Sequence, residues 1–171
     1  MTTEERRELL DFAVEVAEHA GRSTLEHFGP DVKVERKADG TPVTVADRES
    51  ERQVREAVAA RFPGDAVVGE EFGGDATGGR RWIVDPIDGT KSFIHGVPLY
   101  GVLLALEADG EAVLGVLHFP ALDETVSAAR GLGCWWNGKR ARVSSVDRLE
   151  GALVLTTGDE AAGEAVGVEA R

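Results

Sequence analysis

Residues 81–93, RWIVDPIDGTKSF, drive an apolar strand directly into a turn that carries two aspartates three residues apart. A short apolar run of this kind, bounded by turn residues, reads as a buried strand and so requires a sheet around it. At roughly 4 Å and an effective dielectric of about 20, two carboxylates repel by about 4 kcal/mol, so a crowded pair at the end of a buried strand needs a counter-charge. Either one aspartate is protonated or a cation sits between them.

The elements around this stretch follow from spacing. Thr2 and Glu5 make a capping box, and Leu9, Phe12, Ala13, Val16, Ala17 and Ala20 recur at helical intervals, which predicts an amphipathic helix to about Phe28, stopped by Gly29-Pro30. Residues 32–44 alternate as a ribbon that turns at 39–42. A second helix starts near Thr44 with Asp47 in its first turn, buries Val54, Ala57, Val58 and Phe62, and ends at 62–64. Strands are then expected at 66–71 and 81–85, in hairpins about Asp109-Gly110 and Asn137-Gly138, at 125–130 and at 152–157. Helices followed by strands predict an α+β fold, with two long helices packed on one face of a mostly antiparallel sheet. Residues 1–157 read as one domain and 158–171 as a weakly apolar tail.

Composition narrows the class. The chain has 171 residues, 42% of them hydrophobic, which suffices for one domain with a real core. Acidic residues number 31 against 19 basic ones, and the net charge of -12 argues against nucleic acid or an anionic membrane as partner. An anionic substrate would need local positive charge, and with only four lysines (Lys33, Lys37, Lys91 and Lys139) that charge is mostly arginine. A single cysteine, Cys134, forms no internal disulfide and points to a reducing compartment. The N-terminus is charged from its fourth residue and the longest apolar run, 102–106, is too short to span a bilayer, so a soluble cytoplasmic protein is expected.

Glu70, Glu71, Asp85 and Asp88 all fall at the ends of apolar strands, where neighbouring strands of one sheet would gather them into a cage of hard oxygen ligands. Such a cage suits magnesium, or manganese, with phosphate oxygens among the remaining ligands. Pro86 fixes the backbone leaving Asp85, and Gly89 allows a turn tight enough for a carbonyl, that of Ile87, to face the ion. Residues 89–94 read as one helical turn whose amides at Gly89, Thr90 and Lys91 point back toward the cage, an arrangement that favours phosphate. The chemistry implied is hydrolysis of a phosphate monoester by water. Two decoys fail. Residues 133–140 have the spacing of a nucleotide-binding loop, but Arg140 stands where a serine or threonine would bind magnesium. Phosphatases that form an aspartyl phosphate place their aspartates two apart, so that one attacks phosphate and the other moves a proton, whereas here the separation is three.

The segments GEEFG (69–73) and WIVDPIDGTKSFIHGVPLYG (82–101), with TVADRESE (44–51) upstream, resemble the inositol monophosphatase superfamily of magnesium-dependent, lithium-sensitive phosphatases. The resemblance covers nearly all of residues 1–157 and implies the N-terminal half of a layered αβαβα sugar-phosphatase fold. It implies that Glu70, Asp85 and the Ile87 carbonyl hold a first metal, and Asp85 and Asp88 a second. It also implies that Thr90, supported by Asp47, positions the attacking water near Glu70, and that Gly89 and Thr90 contact the phosphate. DGTKSFIHGVPLYG (88–101) and KADGTPVTVAD (37–47) resemble the histidinol-phosphate phosphatase branch, which implies a role in histidine biosynthesis, with inositol 1-phosphate as the rival substrate. The partner so implied is a small phosphorylated metabolite, and the assembly a homodimer. Members of the superfamily continue into a second domain that completes the second metal site; residues 158–171 are expected to begin it, and a truncated, non-catalytic metal-binding domain is the alternative.

Each of these residues also has a plainer role. Aspartates before glycine cap turns, and an acid such as Asp47 in the first turn of a helix is favourable on dipole grounds alone. Glu71 alternates with Glu70 and is expected to be solvated or to support the ligands from behind, and Lys91 to lie on the surface. His19, His27, His95 and His118 have no metal-ligand spacing; His19 and His118 read as structural, and one of Trp135 and Trp136 as core.

Overall fold

The computed structural model describes residues 1–74 and 79–153. Helix α1 (Thr3–Thr24) opens on the expected capping box, in which Thr2 accepts from the Glu5 amide and the Glu5 carboxylate from the Thr2 amide. A 3-10 turn (Leu25–His27) closes it ahead of Gly29-Pro30. Strands β1 (Val34–Arg36) and β2 (Pro42–Thr44) form the short antiparallel ribbon, and α2 (Val45–Arg61) follows with a second capping box made by Thr44 and Asp47.

The remaining strands are β3 (Ala66–Gly69), β4 (Arg80–Asp88), β5 (Gly101–Ala108), β6 (Glu111–Phe119), β7 (Glu124–Ala129), β8 (Gly133–Trp136) and β9 (Lys139–Ala141). The five-residue helix α3 (Thr90–Ile94) lies between β4 and β5. Among the described residues β3 to β9 make a seven-stranded sheet in sequence order, antiparallel throughout except for β3, which pairs parallel to β4. The expected α+β class holds, with a mixed sheet. Both hairpin turns have two left-handed residues, φ 54° and 79° at Asp109-Gly110 and 47° and 71° at Asn137-Gly138, as two-residue loops between twisted strands require.

Helices α1 and α2 cover one face of the sheet. Leu9, Leu10, Ala13, Val16, Ala17 and Ala20 of α1 and Val54 and Val58 of α2 pack on Trp82, Val84, Val102, Leu104, Leu106, Leu114 and Val116. Phe12, Phe62 and Trp82 interlock with ring centroids 5.0 to 5.9 Å apart, and the Trp82 indole donates to Asp65 at 2.9 Å. A second cluster of Ala46, Ile87, Phe93 and Tyr100, with Phe28 stacked on Tyr100, lies where β4 meets α3. On the opposite face of the sheet, Ile83 and Leu117 are about 40% exposed.

The chain separates into two compact units, Met1–Ala141 and Arg142–Arg171. In the second, a 3-10 turn (Leu149–Gly151) precedes Ala152 and Leu153, neither of which is in a strand. The rest of the strand expected at 152–157, the boundary expected at 157 and the tail 158–171 lie outside the described residues. Among the described residues no helix is long and apolar enough to cross a membrane.

Candidate active site

Strand β4 is longer than the sequence predicts: it does not stop at Asp85 but runs to Asp88 through a bulge. Asp85 pairs with Leu103 and Asp88 with Gly101, so three steps along β4 match two along β5. In an uninterrupted strand, residues three apart face opposite sides. The extra residue cancels that alternation and brings Asp88 back to the side of Asp85, while Ile87 turns into the core at 1% exposure. Pro86 has no amide to contribute to a ladder and fits at this interruption.

Glu70 arrives from the neighbouring strand. Its amide donates to the Val84 carbonyl at 3.2 Å as the chain leaves β3, which sets its side chain beside Asp85. Burial pushes the Asp85 carboxyl up to about 7, and the charge and hydrogen bond of Glu70 and the charge of Asp88 push it the same way. Of the four acidic strand ends, Glu70, Asp85 and Asp88 are the three linked in this way. Among the described residues, though, no three Asp, Glu, His or Cys side chains already converge as a closed cage; Glu70 and Asp88 both raise the Asp85 pKa from beside it.

Thr90 and Asp47 bond differently from the pair the resemblance implies. The Thr90 hydroxyl donates to the Ile87 carbonyl at 3.1 Å, the same carbonyl expected to face a metal. Asp47 is buried and accepts from the amide and the hydroxyl of Thr44 at 2.7 and 2.6 Å. Burial raises its pKa against the opposing pull of those bonds. Gly89 precedes α3 in the left-handed region at φ 88°, and a Cβ there would stand 3.0 Å from the Leu99 carbonyl. Lys91 is exposed, as expected, and the His95 ring nitrogen Nδ1 lies 2.7 Å from the Lys91 carbonyl.

Glu71 is not the solvated member of the glutamate pair. Its side chain is 6% exposed against 47% for Glu70, because the turn after β3 directs it inward. Two residues escape the sequence reading. Lys37, from the turn of the β1–β2 ribbon, puts its ammonium 2.6 Å from both Glu70 and Glu71. Burial opposes that charge, but the two glutamates hold its pKa above the usual lysine range. Glu51, fully buried on α2, accepts from the amides of Glu71 and Phe72 at 2.7 and 3.2 Å. The signal available in the sequence is the spacing Asp47, Glu51, Arg55, a charged row at four-residue steps along a helix face that also buries Val54 and Val58.

The fold and site define a two-layer α+β domain that gathers carboxylates at a bulged strand end beside a glycine-initiated turn. The family model of the inositol monophosphatase family matches residues 5–165, and the chain belongs to that family. It is 50% identical over 153 residues to a histidinol-phosphatase of Chlorobaculum parvum, covering 88% of this chain and 59% of that protein. It is 47% identical over 150 residues to the histidinol-phosphatase of Mycobacterium tuberculosis, covering 84% and 58%. A fructose-1,6-bisphosphatase/inositol-1-monophosphatase of Thermotoga maritima is 41% identical over 142 residues, covering 82% and 55%. Among solved structures, a Thermotoga maritima IMPase superposes with a TM-score of 0.77 at 41% identity, over 81% of this chain and 54% of the other. The extragenic suppressor protein suhB of Bartonella henselae gives 0.77 at 35%, over 82% and 56%. The chain thus spans 55 to 59% of the length of these curated relatives.

Proposed function

We propose that the protein is a magnesium-dependent phosphate monoester hydrolase acting on a small phosphorylated metabolite, with histidinol phosphate as its substrate. The observation that carries this reading is the bulge that brings Asp88 to the side of Asp85, next to which Glu70 is anchored through its amide on the Val84 carbonyl. The donor set fits a hard divalent cation: the carboxylates are crowded enough to raise the Asp85 pKa, and Lys37 already places one cation on Glu70. Glu70, Asp85, Asp88 and the Ile87 carbonyl would hold the metal, with manganese as an alternative to magnesium. Bound there, the metal would supply charge for the phosphate oxygens and a more acidic water.

The chain's own residues do the rest. The Thr90 hydroxyl, which donates to the Ile87 carbonyl, would orient the attacking water, and Asp47, a buried acid bonded to Thr44, would support it. Gly89 and Thr90 offer backbone to the phosphate from a turn with no side chain in the way at Gly89. Lys37 adds positive charge from the ribbon. The choice of histidinol phosphate over inositol 1-phosphate is supported by the identities of 50 and 47% to proteins named histidinol-phosphatase.

Phosphate release by the chain with magnesium, with histidinol phosphate and inositol 1-phosphate side by side, tests this. Faster turnover of histidinol phosphate, lost in Asp88→Asn, is expected. Preference for inositol 1-phosphate would reassign the substrate, and full activity in the variant would reject the metal ligands. A second reading, a metal-binding domain that is not itself catalytic, is favoured by the absence, among the described residues, of three acid side chains already gathered as a closed cage. It predicts magnesium binding without phosphate release.

A further inference from the structure

Glu51 is a fully buried acid in the middle of α2, a position where acids are rarely found unless paired. Its Oε2 accepts the Glu71 amide at 2.7 Å and its Oε1 the Phe72 amide at 3.2 Å. Arg55, one helical turn on, donates from Nε to Oε1 at 2.8 Å and from its terminal nitrogens to the carbonyls of Val67, at 3.2 Å, and Gly73. The turn is closed on itself by the Gly69 amide donating to the Gly73 carbonyl at 2.9 Å. Gly69 has no room for a side chain, because a Cβ there would collide with the Glu51 carboxylate. The loop that displays Glu70 is therefore wrapped around one ion pair that belongs to α2.

Stability alone does not account for this pair. Apolar residues of like volume often serve a core as well as a buried ion pair does. What a carboxylate supplies that a leucine lacks is two directional acceptors for two converging amides. We propose that Glu51 is a positioning residue: clamped by Arg55, it fixes the 69–73 turn to α2 and thereby holds Glu70 against Asp85. The proposal rests on the reading of Glu70 and Asp85 as metal ligands.

The test uses the 171-residue chain, Glu51→Gln and Arg55→Gln, with two readouts: amide hydrogen exchange by NMR and manganese binding by calorimetry. The first substitution would keep the side-chain volume but turn an NH2 group toward one of the two amides. In Glu51→Gln the Glu71 and Phe72 amides are expected to exchange at least tenfold faster, while Leu104 and Val116 in the sheet core keep their protection. Manganese affinity should fall about tenfold, the usual scale for groups that orient ligands. Arg55→Gln, which keeps the carboxylate, should move both readouts the same way by less, and carries the test should Glu51→Gln not fold. Unchanged exchange at Glu71 and Phe72, equal acceleration at all four amides, or manganese affinity within twofold of the parent would each overturn the proposal. A parent chain that binds no manganese would instead reject the metal reading, and the exchange comparison alone would then decide whether Glu51 anchors the turn.

Discussion

Gly89 shows how little freedom the site leaves its residues. Its φ of 88° is open to glycine at small cost, and the Leu99 carbonyl fills the space a side chain would take. Gly89→Ala should destabilise the chain by about 1–2 kcal/mol, the cost of left-handed backbone for an L side chain, as read by urea unfolding. His118 is constrained in another way. It is buried under α1, with Nδ1 2.9 Å from the Thr125 hydroxyl, and a side chain at Gly21 would strike its ring. Burial lowers its pKa below 6.5, against the pull of Glu18 and Asp123 and with the help of Arg22. The folded state therefore prefers the neutral ring. The stability this contributes is complete above about pH 6.5 and is lost as pH falls below it, because the unfolded chain takes up the proton first. The drop in urea midpoint from pH 7 to pH 5 should be larger in the parent than in His118→Gln. That difference isolates the histidine from Asp85, whose raised pKa acts in the opposite direction.

Helix α2 owes its start to one side chain. The Thr44 hydroxyl accepts from the Ala46 amide at 3.1 Å and donates to Asp47 at 2.6 Å, out of contact with water. Thr44→Ala should cost about 1–2 kcal/mol by thermal or urea unfolding, since an end cap is lost and a buried carboxylate loses a donor. Elements of this kind are legible in the sequence because their signals are local: the Thr2–Glu5 capping box, the start of α2 near Thr44, two hairpin pairs and the helical spacing of α1. The contacts that build the site are not, because they join residues far apart in the chain. Glu51 meets Glu71 across 20 positions and Lys37 meets Glu70 across 33, and although the row Asp47, Glu51, Arg55 hints at a charged helix face, nothing local names the partner of either residue. Glu71 reads as the outer residue of an alternating pair, but β3 ends at Gly69 and the turn around Glu51 resets the direction. Asp85 and Asp88 are recognisable as a pair, while the bulge that orients them depends on register with β5, which local spacing does not encode.

At the scale of the whole molecule, α1 and α2 cover one face of the sheet, and among the described residues no helix covers the other. The other face presents Ile83 and Leu117, each about 40% exposed, beside Leu103, Ala105 and Val126 in neighbouring registers. An apolar sheet face of this kind should drive association of the chain with itself, and the net charge of -12 should oppose it. Sedimentation velocity should therefore show more association as salt screens the charge, and the double substitution Ile83→Lys and Leu117→Lys should abolish it without unfolding the core beneath the helices. A sedimentation coefficient independent of salt and concentration would reject this. The same sheet explains why the acids and the helices do not compete for space. Trp82 and Val84 point to the helices, and Ile83 and Asp85, one step along in each case, point away.

The bulge in β4 turns the interval between two aspartates into a question of parity. In an unbroken strand only an even separation keeps two side chains on one face, which is the rule a pair two apart obeys. Here an odd separation is made even by one uncounted residue, so the motif and the irregularity are a single unit and neither is meaningful without the other. A change of residue at Pro86 or Ile87 alters the fit, whereas the gain or loss of one residue between the aspartates would aim Asp88 at the helix layer.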